Sequence, residues 1–78
     1  MVNECNVGWC PLCDQGWITV VKSILTSNLY LCCRECDTEW KNPYKLEAEH
    51  CLPFNTYGRY EFPTKDEIIN YGWSEFLK

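Results

Sequence analysis

Cys10-Pro11-Leu12-Cys13-Asp14-Gln15-Gly16-Trp17 is matched, position for position, by Cys33-Arg34-Glu35-Cys36-Asp37-Thr38-Glu39-Trp40. Both follow the pattern Cys-x-x-Cys-Asp-x-x-Trp. A Cys-x-x-Cys turn brings two sulfurs to one ion, and a second turn completes the tetrahedral set that zinc takes in structural sites. Nineteen residues lie between Cys13 and Cys33, which suits a β-hairpin carrying one pair at each base. The matched Asp and Trp positions fix the register of the second pair on Cys33 and Cys36 rather than on Cys32. Neighbouring Cys32 then points to the opposite face of its strand and packs as a small apolar residue.

The candidate ligands are therefore Cys10, Cys13, Cys33 and Cys36, holding one structural Zn2+. Four thiolates leave no open position for water, which a catalytic zinc needs. The Asp after each pair stands where a metal turn needs positive φ, a conformation that Asp tolerates better than most residues. Trp17 and Trp40, four residues past their cysteines, read as core residues shielding the sulfurs. Cys5, His50 and Cys51 match no metal spacing and read as ordinary side chains. Adjacent residues seldom face one another, so His50 does not serve as base for Cys51. With a single His and no motif for a reacting centre, the chain reads as non-enzymatic.

Length and composition agree with a stapled fold. A chain of 78 residues is one domain near the size where an apolar core alone is marginal. Four Trp, five Tyr and three Phe supply large packing surfaces, which argues against a disordered tail. The seven cysteines are an odd number, and the start Met-Val-Asn-Glu-Cys lacks the basic and apolar regions of a signal peptide. The expectation is a reducing, cytoplasmic compartment and a metal site rather than a disulfide framework. No apolar run approaches the roughly 18 residues of a membrane span. The net charge is −4, and four thiolates with one divalent ion would make it more negative still. Nucleic-acid binders usually carry a basic face, whereas no two of the seven Lys and Arg residues are adjacent here.

Along the chain, residues 1–9 read as a lead-in. A β-branched strand is expected over Trp17–Ile24, a turn over Leu25–Asn28, a return strand over Leu29–Cys33 and a third strand over Asp37–Lys41. A short helix is expected over Tyr44–His50 behind Pro43, a loop over Leu52–Gly58 and an edge strand within Tyr57–Phe62. Thr64-Lys65-Asp66-Glu67 is a capping-box pattern. Ile68, Ile69, Trp73, Phe76 and Leu77 can share one stripe of the helix it opens, with Gly72 as its interruption.

Residues 8–42 resemble the zinc-ribbon family, on the strength of the two cysteine turns. The Cys-Pro-x-Cys form of the first is typical of such ribbons and of rubredoxins, which bind iron through the same four sulfurs. Asp rather than Gly after each pair departs from the usual form. The resemblance implies a small α+β metal-stapled domain: a zinc ribbon of β-hairpin plus third strand over 8–42, and a helix and loop extension over 43–78. In profile the chain is also similar to bacterial immunity proteins of the contact-dependent growth inhibition type, which are small, acidic and bind basic nuclease toxins. That likeness implies a protein-binding module whose contacts are Glu47, Glu49, Tyr57, Tyr60, Glu61, Asp66 and Glu67. The alternative is a nucleic-acid-binding or transcription and translation accessory protein, with Lys22, Arg34 and Lys41 on phosphates.

Structural zinc in small peptides contributes on the order of 10–16 kcal/mol of apparent binding energy. Chelation is therefore expected to unfold residues 8–42. A far-UV circular dichroism spectrum unchanged after complete metal removal would refute this.

Overall fold

The computed structural model describes residues 5–53 and 55–78. Among them, five strands form one antiparallel sheet: β1 (Asn6–Trp9), β2 (Trp17–Ser23), β3 (Leu29–Cys33), β4 (Glu39–Trp40) and β5 (Tyr60–Glu61). Their order is β1-β2-β3-β4, and β5 pairs with β2 at Lys22 and Ser23, beyond the stretch that β1 covers. The long central hairpin, β2 with β3, follows from the β-branched run Ile18-Thr19-Val20-Val21 and from a turn that places Ser27 at φ 65. Residues 1–4 of the expected lead-in, and Phe54 in the expected loop, lie outside the described residues. The rest of the lead-in is not irregular: it supplies β1, with a bulge between Asn6 and Gly8.

Alternation along the strands divides the sheet into two buried faces. Ile18, Val20, Leu29, Leu31, Cys33 and Trp40 point to one, where Val7, Ile68 and Trp73 cover them. Val21, Tyr30 and Cys32 point to the other, beneath Tyr57 and Tyr60. Cys32 and Cys33 thus serve opposite faces, as the strand period requires.

The helical elements are shorter than the sequence suggests. The segment over 44–50 holds only a 3-10 turn, Ala48–His50. The Asn42 side chain takes the Tyr44 N–H in a local turn at 3.1 Å, an alternative to helix that Asn commonly offers. Helix α1 (Lys65–Tyr71) has the capping box, with Thr64 and Glu67 bonding each other's backbone N–H. Gly72, at φ 85, ends it in the left-handed form that favours glycine. The expected five-residue stripe is therefore broken. Ile68 is buried and Ile69 exposed, while Trp73 reaches the core only after the chain has turned. Phe76 follows in a second 3-10 turn, Ser74–Phe76, and with Leu77 packs against the core's margin. Lys22 pairs with Glu67 across the sheet and helix. Among the described residues no helix is long and apolar enough to cross a membrane.

The two tryptophans of the repeat are not equivalent. Trp17 stands opposite Trp9, whereas in the second repeat Trp40 stands opposite Leu31 and Glu39 opposite Cys32. Counted from the first cysteine of each pair, the second ladder closes one residue earlier. A one-residue slip turns a side chain to the other face. Trp40 is consequently 0% exposed, its indole N–H donating to the Glu47 carbonyl at 3.1 Å, whereas Trp17 is 42% exposed. Reading both as core residues is corrected for Trp17. Trp40→Ala is expected to cost about 3–5 kcal/mol, as for other buried Trp truncations. Trp17→Ala should cost only about 1 kcal/mol, for the lost cross-strand aromatic pair. Urea denaturation of the two metal-loaded variants checks the contrast.

Candidate metal centre

The four repeat cysteines converge where β1 and β3 end and β2 and β4 begin. The chain turns after Cys10 and after Cys33 in the same way. Asp14 N–H bonds to the Cys10 carbonyl at 3.2 Å and Asp37 N–H to the Cys33 carbonyl at 3.1 Å. Asp14 at φ 53 and Asp37 at φ 62 occupy the left-handed region that the sequence assigned to them. Each first sulfur also accepts a backbone N–H two residues on. Leu12 donates to Cys10 Sγ at 3.4 Å and Glu35 to Cys33 Sγ at 3.3 Å. These bonds stabilise negative charge on sulfur and orient its remaining lone pairs.

The sulfurs all lie within 4.8 Å of one another. Cys10 and Cys36 are 3.7 Å apart, and Cys13 and Cys33 3.6 Å. A tetrahedral ion about 2.3 Å from each sulfur would set them about 3.75 Å apart, whereas a disulfide would need about 2.05 Å. The cluster therefore fits a metal ion, and four soft thiol donors suit a thiophilic one. Cys10 and Cys33 are buried, and Cys13 and Cys36 half-buried. Burial pushes the Cys33 thiol up to about 12. Burial also raises Cys36, but hydrogen bonds with the Thr38 hydroxyl, at 3.2 Å, and backbone outweigh it and bring that thiol down to about 7. An ion bound here displaces protons from all four.

The two turns touch through Gly16. A Cβ there would sit 2.9 Å from Glu35 Cβ and 3.3 Å from Glu35 N, and would overlap Glu35 Cγ. Glycine lets the first turn lie against the second, which the four-sulfur geometry requires. The sequence carried no sign of this beyond an ordinary Gly in a loop.

Among the described residues no second group of metal-ligating side chains forms around Cys5, His50 or Cys51. The residues expected to contact a partner are spread over three elements. Glu47 and Glu49 are exposed around the Ala48–His50 turn, with Glu47 3.6 Å from His50 Nε2. Glu61 is exposed on β5, and Asp66 is exposed on α1. Glu67 is engaged by Lys22 first and by its capping box second, which hold its carboxyl below the usual range. Tyr57 and Tyr60 are half-buried against Tyr30, with ring centroids 4.5 and 6.5 Å away. The cations expected on phosphates are also apart: Lys22 is paired with Glu67, and Arg34 lies 5.0 Å over the Phe62 ring. Lys41 instead shares a groove with Tyr44, Lys45 and His50, a grouping that the sequence spacing hides.

No protein-family model matches the chain, and neither a curated protein nor a solved structure does. The four-cysteine cluster and its antiparallel sheet define it as a small α+β domain fit to be stapled by a metal.

Gly16→Ala is expected to force the turns apart and lower metal affinity by at least about tenfold, the size reported for changes in a ligand's supporting shell. Competition with a chromophoric chelator measures it. An unchanged affinity would show that the Gly16–Glu35 approach is not needed.

Proposed function

We propose that the chain is a zinc-ribbon protein-binding module without catalytic activity, and that its partner is a basic protein. The observation that supports this most is the completeness of the sulfur set. Four thiolates fill a tetrahedral sphere around Zn2+, so the ion holds the fold and any activity falls to the surface. That surface belongs to an acidic chain of net charge −4. Glu47, Glu49, Glu61 and Asp66 are exposed, and only Glu47 of these has an ion-pair partner among the described residues. Opposite charge steers a basic partner to such a surface and speeds association. The finer reading is a cytoplasmic immunity or inhibitor protein that neutralises a basic, nuclease-type bacterial toxin, with Tyr57, Tyr60 and Glu67 at the edges of its contact.

One observation favours a second reading. Lys41, Lys45 and His50 gather around a groove with Tyr44, which is 64% exposed. Cations beside an available ring are what single-stranded nucleic acid uses. The flanking Glu47 and Glu49 oppose it, and it ranks below the protein-binding reading.

Native mass spectrometry of the tagged chain, gently isolated from its own host, separates the two. One zinc ion with a bound basic protein is the expected result. One zinc ion with nucleic acid and no protein would overturn the proposal.

A further inference from the structure

Tryptophan is costly to leave in water, yet this chain exposes two of its four side by side. Trp9 is 49% and Trp17 42% exposed. They are cross-strand partners, packed edge to face with centroids 5.3 Å apart at 89°. Trp9 is held further by its indole N–H, which donates to Asp14 at 2.7 Å. The pair is therefore rigid before anything binds it, which lowers the entropy lost on binding. Together with Gln15, Gly16, Arg34 and Glu35, the two rings line a surface groove beside the metal centre. Trp is the residue most enriched where binding energy concentrates.

Charge and area identify the occupant. Glu35 is exposed on the groove wall and forms no ion pair among the described residues. Arg34, the cation nearby, is engaged over the Phe62 ring. An indole face next to an unpaired carboxylate is a receptor for a Lys or Arg side chain, because the ring quadrupole and the carboxylate attract the same cation. A full Trp side chain presents up to about 250 Å², so these two expose roughly 200 Å² at the fractions given. A standard interface needs about 800 Å² per partner. The two rings by themselves fall well short of what a stable dimer needs, and the groove suits a single extended segment. The geometry points to the Trp9–Trp17 groove as the docking site for a cationic segment of a protein partner, anchored by Lys or Arg between the indoles and Glu35. This rests on the reading of the partner as basic, but it places the contact at the metal end rather than on Glu47, Glu49, Glu61 and Asp66.

The test uses the full, metal-loaded, 15N-labelled chain. The probes are a short peptide of alternating Arg and Gly, its Glu–Gly counterpart, and oligothymidine. The Arg peptide should shift the Trp9 and Trp17 indole N–H resonances saturably, and the Glu peptide should not. Trp17→Ala and, independently, Glu35→Gln should each weaken binding by about tenfold, with backbone amide dispersion and metal content unchanged. If the Arg peptide instead moves resonances around Glu47, Glu49, Glu61 and Asp66, and both variants bind normally, the groove is wrong while the basic-partner reading stands. If oligothymidine moves the indole signals and the Arg peptide does not, both readings fall.

Discussion

Four sulfur atoms brought within reach of a single ion are the contact between two loops that have little else to join them, and the rest of the chain is arranged around it. Neither metal turn has a core of its own. The first carries exposed Pro11, Leu12, Asp14 and Gln15, and the second exposed Arg34, Glu35 and Asp37. Their mutual approach depends on Gly16 lying against Glu35 and on Cys10 and Cys33 facing each other's partners across 3.6–3.7 Å. Domains of this size have a net stability of about 5–15 kcal/mol, and a structural metal alone can contribute that much. An ion bound there would thus be comparable to the whole net stability of the domain, because the opposing chain entropy nearly cancels the apolar burial.

The second face of the sheet shows how the C-terminal half joins this frame without touching the metal. Glu39, in β4, is 2% exposed. A carboxylate in that position needs donors, and its two oxygens accept from the backbone N–H groups of Asn55 and Tyr57 at 3.1 and 3.2 Å. Burial raises its pKa and these bonds offset part of the rise. One buried acid therefore orders the 55–57 loop, which in turn lays Tyr57 on Tyr30. On the first face Trp40 has the same role, its indole N–H meeting the Glu47 carbonyl. The two neighbours Glu39 and Trp40, pointing opposite ways, fasten both halves of the extension to the strand that closes the second metal turn.

What could be read in advance, and what could not, divides along the same physical line. The grouping of Cys10, Cys13, Cys33 and Cys36, the positive φ of Asp14 and Asp37, the opposed faces of Cys32 and Cys33, and the Thr64 capping box follow from local properties. Each depends on a few consecutive residues and their spacing. The fates of Trp17 and Trp40 are not local. A repeat counts residues along the chain, whereas the face a side chain takes depends on register across a ladder, and the two ladders differ by one residue. Strand β1 is not legible in the sequence because Asn6-Val7-Gly8-Trp9 is short and interrupted by a bulge. The Lys41, Lys45 and His50 groove depends on a turn where helix was expected. Gly16 matters only because of a contact 19 positions away in sequence, with Glu35.

The register difference also accounts for the surface beside the cysteine cluster. In the second repeat the tryptophan turns inward and completes the core. In the first, the longer turn sends its tryptophan outward to meet Trp9, the residue immediately before the first cysteine. Trp9 and Trp17 therefore flank a single metal turn, at the two strand positions that this turn joins. Their edge-to-face contact spans the two strand positions that this turn joins, and the sulfurs of the turn lie within 4.8 Å of those of the second repeat. The four thiols thus gather beside an exposed aromatic pair whose placement follows from the length of the first turn.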